Sequence, residues 1–216
     1  MGAHLNFWKQ RLGSVPDSVW AHADLETLVL ADNDLVEVPE RIGCLKRLRM
    51  LDLGHNRLTS LPDCIGDLDG LTDFLYLHDN RLASLPASLG KLTRLKYLNA
   101  SDNALEEFPE CLCSMAGLIE LRLSDNGIAS VPGSIARVSR LRELHLRNNG
   151  LATLPEEIGS LAELRLLDLR GNPLTKLPEA IRRLPRLEKL DLRWVCTLAL
   201  PPWIRDLEAR GCLVYR

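Results

Sequence analysis

Aromatic side chains are scarce in this sequence: four Trp, three Tyr and three Phe among 216 residues, 5% of the chain. Any core it builds therefore rests on aliphatic packing, because large rings are too few to fill an interior. Basic charge is not in excess either. Twenty-seven Lys and Arg stand against 29 Asp and Glu, a net charge of −2. Nucleic acid is thus not an expected partner, since binding it requires an excess of phosphate-neutralising side chains. Long apolar runs are missing, and none approaches the roughly 18 residues that span a bilayer. The stretch from Met1 to Leu12 carries His4, Asn6, Lys9, Gln10 and Arg11 where a secretory leader needs an apolar segment. No membrane association is expected, and the expected location is the cytoplasm.

Chemistry-bearing patterns are thin as well. The histidines, His4, His22, His55, His78 and His145, are scattered along the chain, and no Ser or Cys sits in a nucleophile motif. No phosphate-cradling glycine loop appears. The expectation is a protein that is not an enzyme and takes no cofactor. Six cysteines are present, but Cys111 and Cys113 form CxC rather than the CxxC of a zinc site. Free, structural thiols in a reducing compartment are expected.

What the sequence has in abundance is order. Hydrophobic residues make up 46% and charged residues 26%, a folded rather than a disordered balance. The proline of a Leu/Val/Phe-Pro step recurs at Pro16, Pro39, Pro62, Pro86, Pro109, Pro132, Pro155, Pro178 and Pro201, every interval being 23 residues except one of 24. An asparagine keeps the same phase at Asn33, Asn56, Asn80, Asn103, Asn126, Asn149 and Asn172, with Gln10 and Val195 in the end slots. Nine units thus run the length of the chain.

One unit reads Leu141-x-x-Leu144-x-Leu146-x-x-Asn149-x-Leu151-x-x-Leu154-Pro155-x-x-Ile158-Gly159-x-Leu161. The Leu-x-Leu alternation has period two, one side inward and one outward. Identical stretches in successive units stack as parallel strands of three to five residues. The residue before proline is extended, and proline suits the first turn of a helix. Ile158, Leu161 and Leu164 follow at spacing three, the inner face of a short α or 3₁₀ turn. The asparagine amide turns inward, where it both donates and accepts to loop backbone. A single unit cannot offset the entropy of its own ordering; stacking on neighbours closes the core.

The pattern LxxLxLxxNxLxxLPxxIGxLxx resembles the leucine-rich-repeat family over essentially the whole chain, in the 23-residue LPxxIGxL type of intracellular and bacterial proteins. The resemblance implies an α/β solenoid, or horseshoe, of about nine repeats, with a parallel sheet on the concave face and short α or 3₁₀ helices on the convex face. Residues 1–216 read as one domain, 1–20 being a degenerate first repeat and 187–216 a degenerate last repeat and C-terminal cap. Cys44, Cys64, Cys111 and Cys113 fall in the convex segments. Stacked units about 4.8 Å apart put Cys64 and Cys111, two repeats apart, too far from each other for a disulfide. Trp194, Trp203 and Val214 are expected to cover the last open core, and Phe7, Trp8 and Trp20 the first.

A partner is chosen by the outward strand positions, which the repeat leaves free. They form three columns. The first runs His4, Thr27, Met50, Phe74, Tyr97, Glu120, Glu143, Leu166, Lys189; the second Asn6, Val29, Asp52, Tyr76, Asn99, Arg122, His145, Asp168, Asp191; the third Trp8, Ala31, Gly54, His78, Ser101, Ser124, Arg147, Arg170, Arg193. The candidate partner-binding set is Met50, Phe74, Tyr76, His78, Tyr97, Asn99, Arg122, His145, Arg147 and Arg170. Exposed aromatics and methionine favour protein partners, and arginines suit carboxylates or phosphates. The plainer alternative has the rings packing laterally and the arginines, with Arg193, pairing with Glu120, Glu143, Asp168 and Asp191. The 24-residue unit holds one extra residue between Leu71 and Leu75, either a loop at the rim or a bulge that re-aims the rings. Asp32, Asp79, Asp102 and Asp125, interrupted by His55, form an acidic column expected to bond local amides rather than a metal.

The expected function is a non-catalytic, monomeric protein–protein interaction scaffold, resident in its own cytoplasm or delivered to a host cell. The alternative is the targeting half of a larger enzyme, such as a bacterial effector ubiquitin ligase or a kinase.

Overall fold

The computed structural model describes residues 2–216; Met1 lies outside them. Ten strands form one sheet in sequential order, all pairs parallel: β1 (Ala3–Asn6), β2 (Leu25–Val29), β3 (Met50–Asp52), β4 (Phe74–Tyr76), β5 (Tyr97–Asn99), β6 (Glu120–Arg122), β7 (Glu143–His145), β8 (Leu166–Asp168), β9 (Lys189–Asp191) and β10 (Leu213–Tyr215). From β2 onward each residue pairs with the residue at the same place in the next unit, for example Met50 with Phe74 and Asp52 with Tyr76. The middle residue of each strand from β3 to β9, Leu51, Leu75, Leu98, Leu121, Leu144, Leu167 and Leu190, is fully buried, and its two neighbours face outward. The outward residues therefore stack into the expected columns.

Opposite the sheet, among the described residues, lie eight one-turn 3₁₀ helices of five residues, from Asp17–Ala21 to Glu179–Arg183. Their form follows from the spacing of three. The Pro155 carbonyl accepts from Ile158 (3.2 Å), Ile158 from Leu161 (3.2 Å) and Leu161 from Leu164 (2.9 Å), an unbroken run of i→i+3 bonds. Because 3₁₀ side chains three apart eclipse one another, Ile, Leu and Leu fall on one inward face. Proline is not inside the first turn, as the sequence suggests. It precedes it in an extended conformation (Pro155 φ −72°, ψ 152°), and its carbonyl, not its ring, starts the turn.

The asparagines join the units. Asn149 Oδ1 accepts from Ile128 N of the preceding unit (3.0 Å), and its Nδ2 donates to the carbonyls of Leu123 (3.0 Å), Leu146 (3.0 Å) and Arg147 (3.2 Å). Asn33, Asn56, Asn80, Asn103, Asn126 and Asn172 repeat the pattern. One side chain thereby satisfies loop backbone groups in two successive units that burial would otherwise strand.

The position just before each asparagine, and before Gln10 and Val195 in the end slots, is left-handed: Lys9, Asp32, His55, Asp79, Asp102, Asp125, Asn148, Gly171 and Trp194 all have φ between 50° and 65°. Asp, Asn and His tolerate that region better than other non-glycine residues, which accounts for the acidic column. The expected bonds from these aspartates to local amides are not formed among the described residues. Their carboxylates turn to side chains instead: Asp32 to Lys9, Asp79 to His55, Asp125 to Arg147 and Asn148.

The ends depart from expectation in two ways. Trp8 (58% exposed) and Trp194 (65%) cover no core: one sits in an outward column, the other in a left-handed turn. Phe7 and Trp20 at the first unit, and Trp203 and Val214 at the last, do pack against it. The period also breaks after Pro201, where an α-helix, α1 (Ile204–Ala209), replaces the 3₁₀ turn and leads into β10, which extends the sheet along β9. The core is one continuous aliphatic stack from Val15 to Cys212. The six cysteines are free, and Cys44, Cys64, Cys111 and Cys113 lie in the convex turns.

Candidate protein-binding face

The three outward columns form the concave face. Met50, Phe74 and Tyr97 stand in the first, Tyr76, Asn99, Arg122 and His145 in the second, and His78, Arg147 and Arg170 in the third, where the ladder continues past the strands through backbone bonds such as His55 N to His78 O (2.9 Å). These residues gather into two adjoining groups.

The first is a band of rings. Phe74 stacks on Tyr76 (centroids 5.9 Å apart), Phe74 meets Tyr97 at 5.6 Å, and Tyr76 meets Tyr97 at 5.1 Å. Tyr76 reaches His78 edge-on at 6.1 Å, and His78 in turn meets His55 at 4.7 Å. Met50 lies beside Phe74 in register. Phe74 remains 42% exposed, so lateral packing does not consume its ring. Burial pushes both tyrosine hydroxyls above their ordinary range, helped at Tyr76 by Asp52, and both remain protonated at neutral pH. Burial, followed by the charge of His55, holds His78 low, so it is neutral there.

The extra residue of the 24-residue unit lies just before this band. Lys96 O accepts from both Ile119 N (2.8 Å) and Glu120 N (3.1 Å), whereas Thr72 O and Asp73 O take one N–H each, from Lys96 (3.1 Å) and Tyr97 (3.2 Å). The insertion is a bulge absorbed ahead of β4, and the register of Phe74, Leu75 and Tyr76 is unbroken. It does not re-aim the rings. It places Asp73 between Arg49 (2.8 Å) and Lys96 (3.0 Å). Burial raises the Asp73 carboxyl, but the two cations outweigh it and leave it below its ordinary range.

The second group surrounds a depression of about 250 Å³ lined by His78, Asn99, Arg122, His145, Arg147 and Arg170 together with Ser101, Asp102, Ser124, Asp125 and Asp168. Here the arginines are already engaged. Arg122 holds Glu120 (2.5 Å), Arg147 holds Asp125 (2.5 Å), and Arg170 forks onto Asp168 (2.8 and 2.6 Å). Arg193 forks onto the fully buried Asp191 (2.9 and 2.7 Å). The plainer reading of the arginines therefore holds with one change: Arg147 takes Asp125, and Glu143 bonds His145 (3.1 Å) instead. Burial keeps His145 low despite Glu143 and Glu120, so its ring is neutral near pH 7. Glu120, Glu143 and His145 bring three potential metal-ligand atoms within 4.8 Å, but the Arg122 guanidinium already neutralises Glu120.

Asn99 has a structural duty that the column pattern hides. Its Oδ1 accepts Ser101 N (3.0 Å), just as Asn6, Asp52, Asp168 and Asp191 accept the N–H two residues on. These second-column Asx residues cap the turn leaving the strand. Sequence reasoning passed over His55 and Asp102 as contributors to the face, and it placed Ser101 and Ser124 in the third column without counting them among the binding residues. Only the register of the left-handed column could have pointed to the first two.

A family profile described as a leucine-rich repeat region matches residues 16–127 and 129–210. The chain belongs to the leucine-rich-repeat family. Members of this family generally act as binding scaffolds for proteins. A leucine-rich-repeat protein of Leptospira interrogans, LIC12759, is similar in structure at TM-score 0.76 and 26% identity, covering 95% of this chain and 64% of its own. The ectodomain of the Arabidopsis thaliana receptor kinase GASSHO1/SCHENGEN3, solved in complex with Casparian strip integrity factor 2, is similar at TM-score 0.81 and 30% identity, covering 93% of this chain and 25% of its own. This leucine-rich-repeat chain thus spans less than two thirds of either matched structure. No curated protein sequence matches it.

Proposed function

We propose that this leucine-rich-repeat chain is a non-catalytic scaffold that holds a partner protein against its concave face, centred on β4 to β7. The observation that carries the reading is the contiguous band of Phe74, Tyr76 and Tyr97, with ring centroids 5.1–5.9 Å apart, left open on a rigid sheet. Aromatic anchors on a preorganised surface bury large areas with little loss of side-chain entropy. The paired arginines beside them form a polar rim of fixed geometry, in which charge sets partner choice more than affinity. Six free cysteines support a reducing cytoplasm, and we take the working species to be a monomer.

The test is affinity capture with mass spectrometry, comparing the wild type with a Tyr76→Ala, Tyr97→Ala, Arg122→Ala, Arg147→Ala variant of unchanged circular dichroism. A partner lost from the variant supports the concave reading; equal capture by both sends the site to the convex turns or the ends. A second reading, the targeting half of a larger enzyme, draws on the chain spanning 64% and 25% of the matched structures. The complete reading frame decides it: a catalytic signature encoded in continuity with this chain supports that reading, and none removes it.

A further inference from the structure

Charge is unevenly compensated across the concave face. Toward the C-terminal end, Arg122, Arg147, Arg170 and Arg193 each hold a carboxylate. Around the ring band Arg49 and Lys96 share Asp73, but three further carboxylates have no Lys or Arg partner among the described residues. Among the described residues neither Asp52 nor Asp102 forms an ion pair; Asp52 accepts only the Gly54 N–H (3.0 Å), and Asp79 has only the His55 ring (2.5 Å). Burial, with the charges of Asp125 and Asp79, raises the Asp102 carboxyl above its ordinary range, and the nearby Arg147, engaged with Asp125, does not offset it.

These acids flank the rings. Asp52 pairs in register with Tyr76 at the heart of the band, and Asp102 lines the depression beside His78. Ring faces attract cations through their quadrupole, and one ring of the set already does so: the Arg122 guanidinium lies over Tyr97 at 6.0 Å. Phe74 and Tyr76, on the side away from Arg122, have no such occupant among the described residues.

Building on the concave-face reading above, we infer that the partner presents an arginine- or lysine-bearing segment here. One cationic side chain lies against the Phe74 and Tyr76 rings beside Asp52, and a second is neutralised at Asp102. The surplus of carboxylate over cation selects against acidic segments, and the rings select for side chains that are both flat and charged, arginine above all.

The probe is a short fluorescein-labelled peptide in which arginine alternates with serine, compared with the same peptide carrying citrulline, which keeps the shape and removes the charge. Binding is followed by fluorescence anisotropy at low ionic strength. The arginine peptide is expected to bind at least about tenfold more tightly than the citrulline peptide. Asp102→Asn and Tyr76→Leu are each expected to weaken it about three- to tenfold. Asparagine tolerates the left-handed backbone at position 102 (φ 54°), so the first variant keeps the fold. Asp63→Asn, on a convex turn, controls for general attraction to an acidic protein. Equal binding of the two peptides overturns the inference, as does an Asp63→Asn effect as large as that of Asp102→Asn. If the concave variant loses its captured partner while arginine and citrulline peptides bind alike, the concave face stands and the cationic assignment falls. If capture is unaffected as well, both fall.

Discussion

At the scale of single residues, the asparagines tie each unit to the one before it. Replacing Asn149 with alanine orphans the buried Ile128 N–H, while the carbonyls of Leu123, Leu146 and Arg147 keep Asn126, Asn172 and Asp125 N as donors. The expected loss is about 1–3 kcal/mol, the cost of one orphaned buried group. Urea denaturation measures it, and a change under ~0.5 kcal/mol would show that water replaces the amide. The asparagine column was legible because its period is the repeat's own and its amide chemistry admits few other roles. The left-handed column was not read as backbone geometry, because Asp beside a turn has several readings and only the φ values choose among them. The pairing of Arg147 with Asp125 rather than Glu143 was likewise invisible, since it depends on side-chain reach across units.

Asp191 shows how charge supports the last turns. Its carboxylate lies against Arg193, Lys189 and Arg170. Burial pushes its carboxyl up, but the hydrogen bonds and charge of Arg193 prevail and hold it below its ordinary range. A carboxyl depressed in the folded state adds stability above its unfolded value, about 3.9, and loses it as pH falls through the lower folded value. The wild type is therefore expected to lose more unfolding free energy between pH 6 and pH 3 than Asp191→Asn does; equal losses would remove Asp191 from the acid transition. The thiols divide by exposure. Burial raises Cys64 and Cys111 to about 11, while Cys44 and Cys196 are exposed. Iodoacetamide at pH 8 should label Cys44 and Cys196 first, because the thiolate is the nucleophile; early labelling of Cys111 would contradict its packing.

At the scale of elements, the one-turn helices are set by how closely they stack. A Cβ on Gly66 would overlap the Ser88 carbonyl of the next turn, and one on Gly159 would lie 2.6 Å from the Ala180 Cβ. The glycine of the Ile-Gly step thus serves close approach, not a special φ. Gly66→Ala is expected to destabilise by ~1–3 kcal/mol, the range for overpacking, with a lower thermal midpoint as the readout. A neutral result would mean that the two turns can separate freely. Spacing of three foretold a short turn here but left α and 3₁₀ equally open, and the unbroken i→i+3 bonds resolve it. A cap over 187–216 was legible, but its α1–β10 form was not, because LEARGCLVYR carries neither the asparagine nor the proline that mark the repeats. The bulge at Thr72–Asp73 was legible as an extra residue, yet its consequence, a carboxylate held between Arg49 and Lys96, needed the ladder on both sides.

At the scale of the whole molecule, the solenoid divides its labour by face. Inward positions repeat and build the core, and the convex turns set the spacing. The concave columns vary, from Met50, Phe74 and Tyr97 to Glu120 and Glu143 along a single line of register. Which residues share that face was readable from period two and the 23-residue repeat alone. Which of them remain free to meet a partner was not, since Asn99 is committed to the Ser101 amide and the arginines to carboxylates. The most direct test of concave binding is hydroxyl-radical footprinting of the chain with its captured partner, because Met, Phe and Tyr are among the side chains that react readily. The account predicts protection of Met50, Phe74, Tyr76 and Tyr97 with Cys44 on the convex turn unchanged. Protection of Cys44 with the ring band still reactive would contradict it.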